Sequence, residues 1–169
     1  MIILGIDPGL AATGRGIIQH TPLNGPPSAG SGEDWDVTAY GCIITESKQP
    51  TSERLNKIYQ GIRTVIEEFR PDEMAIEALF FGINAKTAIE VGEGKGAAIL
   101  ACGEAKVSVN EYTPLEIKLA LTGYGRAGKK QVQKMVKELL GLDKIHQPEH
   151  AADALGCAYC HAVSRNSPL

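Results

Sequence analysis

Long apolar runs and a basic leader segment are both missing from this sequence, and each absence excludes a class of proteins. No stretch approaches the roughly 18 consecutive apolar residues that a membrane-spanning helix needs. The apolar start at residues 2–6 has no basic segment before it and meets Asp7 at once, so it predicts a first β-strand rather than a signal peptide. We therefore expect a cytoplasmic protein without membrane contacts.

A positive net charge is missing too. The chain has 17 Lys and Arg against 20 Asp and Glu, a formal net charge of −3. This argues mildly against a nucleic-acid-binding protein, but the distribution of charge matters more than its sum. Residues 115–145 carry seven basic and three acidic side chains, a local positive excess. This stretch is either a solvated helix face, as most charge runs are, or a surface that contacts phosphates.

The four cysteines do not form a recognisable metal or redox site. Cys42 and Cys102 lie in apolar strand and helix patterns, which predicts buried free thiols. Cys157, Cys160 and His161 match the short haem-attachment pattern C-x-x-C-H, but they lie in the middle of a predicted helix, so core packing is favoured. A zinc site would need a second ligand pair at a suitable spacing, and the sequence has none.

The pattern of strands and helices predicts one domain over residues 1–169. Three early strands are joined by hairpins, and the later strands alternate with helices. Residues 21–36, rich in Pro, Gly and Ser, predict a long hairpin tip. The order predicts an α/β fold of the ribonuclease H-like kind: a mixed five-stranded sheet, three strands antiparallel and then two parallel, with helices on both faces. We expect strands at 2–7, 14–20, 37–45, 73–79 and 106–111, and helices at about 55–69, 84–103, 114–121, 128–140 and 149–164.

Two acids lie in or at the end of apolar strands. Asp7 ends the first strand, where a buried carboxylate is costly unless it is paired or binds a cation, although Asp is also a common residue before a Pro-Gly turn. Glu77 lies inside the apolar stretch 73–79, and Glu disfavours strands. A lone buried salt bridge is the alternative for Glu77, but the sequence offers no obvious local partner.

Two further polar residues share one face of the last helix. His150 and Asp153 are three residues apart near its first turn, and alanines surround them. An acid near a helix N-terminus is also favoured by the helix dipole alone. Together with Asp7 and Glu77, however, they form a set suited to two metal ions in phosphodiester hydrolysis. Three carboxylates suit Mg²⁺, whereas a histidine in the fourth position is unusual for Mg²⁺ and suits Mn²⁺ better. The histidine is therefore a metal ligand, a general base or a residue that orients a ligand, and the sequence leaves these three roles open.

Five motifs follow one another along almost the whole chain. They are Leu-Gly-Ile-Asp-Pro-Gly at 4–9, Ala-Ile-Glu at 75–77, Asn-Ala at 84–85, Lys-Lys-Gln-Val-Gln at 129–133 and Ala-Ala-Asp-Ala-Leu at 151–155. In this order they resemble the RuvC family of bacterial Holliday junction resolvases. The resemblance implies that Asp7, Glu77 and Asp153 are catalytic metal ligands. The family's fourth position is Asp in some members and His in others, and here it is His150.

The same resemblance implies a DNA interface and partners. The family has an aromatic residue after its second acid that stacks on an unpaired base, and Phe80 and Phe81 stand there. Its phosphate-contacting residues fall on Lys118 and Lys129, and the neighbouring basic residues Arg126 and Lys130 are further candidates. The resemblance also implies four-way junction DNA as substrate, a homodimer with paired symmetric nicks, and cooperation with the RuvA–RuvB branch-migration complex.

Two other functions are open on the residues alone. Asp7 before Pro-Gly resembles the phosphate-binding hairpin of actin-like and sugar-kinase-like proteins, but such proteins need two domains and this chain is short for that. The Gly-rich stretch 92–96 lacks the spacing of a phosphate-binding loop, so its glycines are expected to allow close packing. A non-catalytic DNA-structure binder of the same fold is the second alternative.

Overall fold

The computed structural model of the protein describes residues 1–20, 35–79, 85–143 and 149–165, with only the backbone of residues 85–87. Its five-stranded sheet has the order β3-β2-β1-β4-β5. The strands are β1 (Ile2–Asp7), β2 (Ala12–His20), β3 (Trp35–Ile44), β4 (Glu73–Glu77) and β5 (Ser108–Tyr112). β1, β2 and β3 pair antiparallel, whereas β4 is parallel to both β1 and β5. The predicted mixed sheet is confirmed.

Helices cover both faces of this sheet, as predicted. They are α1 (Thr51–Phe69), α2 (Ala85–Ala105), α3 (Pro114–Thr122), α4 (Lys129–Leu139) and α5 (Glu149–Ser164). Because successive strand residues point to opposite faces, Ile3 and Ala75 join the core with α3, α4 and α5, whereas Leu4 and Met74 join the core with α1 and α2. Among the helices of the described ranges, none is both long and apolar enough to cross a membrane.

Three predicted strand boundaries were wrong by about two residues. β2 begins at Ala12 rather than residue 14, because β3 continues to pair with it beyond the end of β1. β5 begins at Ser108 rather than residue 106, because Lys106 adopts a left-handed φ of 59° in the turn that ends α2. β4 ends at Glu77 rather than residue 79. α1 begins at Thr51, directly after Pro50, rather than at residue 55. The last helix has the bounds that were predicted.

The predicted hairpin tip was also too long at its C-terminal end. Trp35 and Asp36 already belong to β3 and pair with His20 and Gln19 of β2. The rest of the tip, residues 21–34, lies outside the described residues.

Two glycines determine how close α5 lies to the sheet. A Cβ atom on Gly5 of β1 would stand 2.0 Å from the carbonyl oxygen of Ala154, and one on Gly14 of β2 would stand 1.9 Å from that of His150. Any side chain at either position would therefore push α5 away. The absence of side chains there brings the first turn of α5 directly over the end of β1, where Asp7 lies.

Candidate active site

The four polar residues singled out by the sequence converge at one edge of the sheet. Asp7 is the last residue of β1 and Glu77 the last of β4. Because these neighbouring strands are parallel, both acids emerge at the same edge. His150 and Asp153 come from the first turn of α5, which the close packing at Gly14 holds above that edge.

Hydrogen-bond geometry ties α5 to β1. Nδ1 of His150 lies 2.7 Å from Oδ2 of Asp7. Asp7, His150 and Asp153 each offer a ligand atom, and these atoms all lie within 4.8 Å of one another. Glu77 completes the group from β4, since both Asp7 and Asp153 act electrostatically on its carboxylate. We call these four side chains the acid cluster.

The pKa values of Glu77, Asp153 and His150 are all raised. Burial, with repulsion from Asp7 and Asp153, raises the pKa of Glu77 to about 7. Burial and the charge of Asp7 also raise the pKa of Asp153. The hydrogen bond with Asp7 raises the pKa of His150. Without a cation, the cluster therefore resists carrying all of its negative charge, and bound metal would relieve that repulsion.

The donor set fits a divalent metal ion. Among the described residues, two carboxylates and one imidazole form the group of possible ligands, with no thiolate in it, and Mg²⁺ or Mn²⁺ can accept these ligands. Glu77 lies outside that group but is close enough for Asp7 and Asp153 to raise its pKa. Partly exposed ligand atoms also leave room for water or a phosphate oxygen, as a catalytic metal site requires.

Two lysines border the acid cluster. Lys118 and Lys129, together with Glu77 and Asp153, line a cavity of about 230 Å³. Lys118 lies on α3, which begins directly after β5 with a capping box between Thr113 and Glu116. The charge of Lys118 partly counters the rise in the pKa of Glu77. A cavity lined by both carboxylates and ammonium groups suits a metal ion and a phosphate together.

Of the other residues predicted to contact DNA, two lie outside the cavity lining and two lie outside the described residues. Arg126 and Lys130 are exposed near the start of α4, and they do not belong to the described residues that line the cavity. Phe80 and Phe81 lie outside the described residues, as does Asn84. Stacking by either phenylalanine therefore stays a prediction.

The C-x-x-C-H pattern is part of the protein core. Cys157 and Cys160 are buried free thiols. His161 is buried as well, and it joins Tyr112 on one side, at 2.7 Å from the hydroxyl oxygen, and Glu73 on the other. Glu73 begins β4, so this group lies at the strand end opposite to Glu77.

Sequence reasoning missed two relationships beside the acid cluster. Cys42 was expected to be buried, but it is half-buried, and Asp7 and Asp153 contribute to the rise in its pKa, of which burial is the largest cause. Glu149 pairs with Lys129 at 2.7 Å. Neither position carries a local sequence signal, because each relationship joins elements distant along the chain.

The comparison of this sequence with known families decides among the alternatives. The family described as crossover junction endodeoxyribonuclease RuvC matches residues 3–161. The chain belongs to the RuvC family. A RuvC relative from Caldicellulosiruptor saccharolyticus is 47% identical over all of this chain and 96% of the relative. Members of this family are nucleases, so an enzyme is the correct class rather than a nucleotide-binding or non-catalytic protein.

Solved RuvC structures share the architecture. The structure of Thermus thermophilus RuvC matches with a TM-score of 0.87 at 34% identity, over 98% of this chain and 96% of that one. The same protein in complex with a Holliday junction substrate matches with a TM-score of 0.85 at 34% identity, over 96% of this chain and 93% of that one. In the present chain, Gly94 packs close to the backbone of Gly9, as expected of the Gly-rich stretch, whereas Gly96 faces open space.

Proposed function

We propose that this chain resolves four-way DNA junctions by metal-dependent phosphodiester hydrolysis, giving paired symmetric nicks in recombination and repair. The observation that carries the proposal is the convergence of Asp7, Glu77, His150 and Asp153 beside two lysines. The junction-bound Thermus thermophilus relative supports the choice of substrate. Two cores packed on the two faces of one sheet support a single nuclease domain over residues 1–169.

The four members of the acid cluster are the proposed ligands of two Mg²⁺ ions, for which Mn²⁺ could substitute. When bound, the metal ions would activate a water molecule and stabilise charge on the leaving oxygen. The protein contributes position: β1 and β4 fix Asp7 and Glu77 on rigid strands, and α5 fixes the other two. Partial burial of Glu77 and Asp153 makes the electrostatic interactions in the site stronger than they would be in bulk water.

Binding of the junction is assigned to the basic and aromatic residues around the cluster. Lys118 and Lys129 would contact phosphates next to the scissile bond, because they border the same cavity as the acids. Arg126 and Lys130, both exposed, would extend this contact along the backbone. Phe80 or Phe81 would stack on an unpaired base at the branch point, as the family resemblance implies.

A homodimer and cooperation with RuvA and RuvB complete the proposal, both on the strength of the family resemblance. Two large apolar residues on α2 support self-association: Ile89 is 63% exposed and Leu100 is 58% exposed. Contiguous exposed apolar patches often mark protein interfaces, and these two residues would be part of such a patch. Two symmetric nicks need two active sites, which a dimer supplies. Sedimentation equilibrium would report twice the chain mass if the dimer forms.

The proposed function is tested with synthetic four-way junctions labelled on each strand in turn. We expect nicks at symmetric positions in two opposed strands with Mg²⁺ or Mn²⁺, and none in EDTA. A linear duplex of the same sequence should be cut far more slowly. Equal cutting of duplex and junction, or cutting in EDTA, would contradict the proposal.

Loss of the two cavity lysines should weaken junction binding in a salt-dependent way. Each phosphate contact contributes about 0.9 to the slope of log affinity against log salt concentration. Lys118→Ala and Lys129→Ala should each lower the slope by about that amount, as measured by fluorescence anisotropy between 50 and 200 mM salt. Lys57→Ala, an exposed lysine on α1 at the other face of the sheet, serves as the control. An unchanged slope in both cavity variants would mean that these lysines do not contact phosphate.

The pH dependence of cleavage should report on His150. In the neutral ring Nδ1 can donate to Asp7, which leaves the lone pair on Nε2 for metal. The hydrogen bond with Asp7 raises the pKa of His150 above its ordinary value of 6.5. Activity should therefore fall as the pH drops through this raised pKa and should be low below about pH 6.5. His150→Asp should flatten this acid limb and improve activity with Mg²⁺ relative to Mn²⁺. Superimposable pH–rate profiles of the two proteins would assign His150 a purely structural role.

A further inference from the structure

Lys129 has a carboxylate partner that the proposed chemistry does not use. Lys129 is the first residue of α4, and Glu149 is the first residue of α5. Nζ of Lys129 lies 2.7 Å from Oε2 of Glu149 and 3.8 Å from Oδ2 of Asp153. About half of each side chain of the Lys129–Glu149 pair is exposed, whereas Asp153 is mostly covered. The ammonium group therefore stands between a surface acid and the acid cluster.

The two carboxylates have different roles around this ammonium group. Asp153 belongs to the acid cluster and lies beyond hydrogen-bond distance, whereas Glu149 is within it. The hydrogen bond with Glu149 is the main reason that the pKa of Lys129 is raised, and Lys129 in turn lowers the pKa of Glu149. Glu149 thus keeps the long, flexible lysine side chain at the mouth of the cluster when no DNA is bound.

A DNA phosphate that reaches Lys129 needs the same ammonium hydrogens. We propose that Glu149 is a positioning residue that holds Lys129 at the mouth of the acid cluster in the DNA-free protein and is displaced by DNA phosphate. The inference rests on the proposed phosphate contact of Lys129. It predicts that part of the affinity for DNA is used to break the Lys129–Glu149 ion pair. Glu149 then selects against weak phosphate contacts that cannot displace it.

A purely structural role for Glu149 has a different signature. An acid in the first turn of α5 interacts favourably with the helix dipole, so its loss would lower thermal stability. A general repulsion between Glu149 and DNA would act whether or not Lys129 is present. Only breakage of the ion pair makes the effect of Glu149 on DNA binding depend on Lys129, and a double-mutant cycle measures this dependence.

The experiment measures the dissociation constant of a synthetic four-way junction in EDTA, so that no cleavage occurs. The four proteins are the unaltered chain, Glu149→Gln, Lys129→Gln and the double variant. We expect Glu149→Gln to tighten binding by about two- to fivefold more when Lys129 is present than when it is replaced, the range of an exposed ion pair. The control cycle uses Glu138 and Lys134, an ion pair further along α4. In that cycle the effect of Glu138→Gln should not depend on Lys134.

Each outcome bears on the inference. A larger gain in the presence of Lys129 supports it, provided that thermal melts show all four proteins folded. Equal gains with and without Lys129 overturn it, because Glu149 then acts only by repulsion, while the proposed function stands. If Lys129→Gln leaves junction affinity unchanged, the phosphate contact assigned to Lys129 fails, and the inference fails with it.

Discussion

Replacing Asp7 with Asn is expected to abolish junction cleavage while leaving junction binding largely intact. Asp7 is central to the acid cluster: it pairs with His150 at 2.7 Å and contributes to the raised pKa values of Glu77 and Asp153. An amide keeps the shape of the side chain but removes the charge that a cation needs. Loss of several kcal/mol of metal stabilisation corresponds to a rate at least about a thousandfold lower.

The measurement is single-turnover cleavage of a four-way junction, with the dissociation constant determined on the same preparation. Asp143→Asn is the matched control, because Asp143 is exposed beyond the end of α4 and lies outside the acid cluster. Binding by Asp7→Asn should stay within a few-fold of that by the unaltered protein, since Asp7 is not assigned a phosphate contact. Substantial nicking by the Asp7→Asn variant would overturn the assignment of this cluster as the active site.

Replacing Glu77 with Gln should abolish cleavage and, in the absence of metal, stabilise the fold. Folding raises the pKa of Glu77 from 4.5 to about 7, so the folded protein binds a proton more tightly than the unfolded chain. Stability therefore falls as pH rises from about 4.5 through about 7, and the penalty is fully present above that range. After discounting for partial solvent exposure, relief of this penalty amounts to about 1–2 kcal/mol, or a few degrees in melting temperature.

Thermal melts in EDTA at pH 5 and pH 8 check this expectation. The advantage of Glu77→Gln over the unaltered protein should be small at pH 5 and largest at pH 8. His150 also titrates with a raised pKa, so both proteins should lose stability with rising pH, and the comparison isolates the part due to Glu77. Glu68→Gln, an exposed acid on α1, is the control. A variant less stable than the unaltered protein at pH 8 would contradict the electrostatic account of the cluster.

Added metal should make the unaltered protein more stable than Glu77→Gln, which reverses their order in EDTA. The proposed metal site exists only in the folded protein, so Mg²⁺ or Mn²⁺ should raise the melting temperature of the unaltered protein more than that of Glu77→Gln. The same acid thus destabilises the metal-free protein and stabilises the metal-bound one. Such a trade between stability and activity is common where like charges are held together for catalysis.

Much of the fold could be predicted because its signals are local. Apolar alternation and Pro-Gly breaks mark the strands, and helical periodicity marks α1 and α5. The sequence pattern predicted α5 at residues 149–164, the bounds that the structure has. The errors arose where the backbone departs from such patterns. The left-handed φ of Lys106 delays β5, and pairing with β3 extends β2 beyond Gly14. Neither feature follows from residue type, because Lys seldom adopts that conformation and strand length depends on the partner.

The acid cluster was predictable by residue type and not by geometry. Glu77 in an apolar strand and His150 three residues before Asp153 are visible anomalies in the sequence. The hydrogen bond between His150 and Asp7 joins residues 143 positions apart. It forms only because Gly14 has no side chain to keep the first turn of α5 away from the sheet. The Lys129–Glu149 pair likewise depends on how α4 meets α5. Such relationships belong to the tertiary structure, and no sequence spacing encodes them.

Mn²⁺ binding to the junction complex, followed by electron paramagnetic resonance, tests the central claim most directly. If Asp7, Glu77, His150 and Asp153 hold the two catalytic ions, the unaltered chain should bind about two Mn²⁺ per active site. Asp7→Asn and Glu77→Gln should each bind fewer ions or bind them much more weakly, whereas Asp143→Asn should match the unaltered chain. Unchanged Mn²⁺ stoichiometry and affinity in both cluster variants would show that the metal binds elsewhere and would contradict the account.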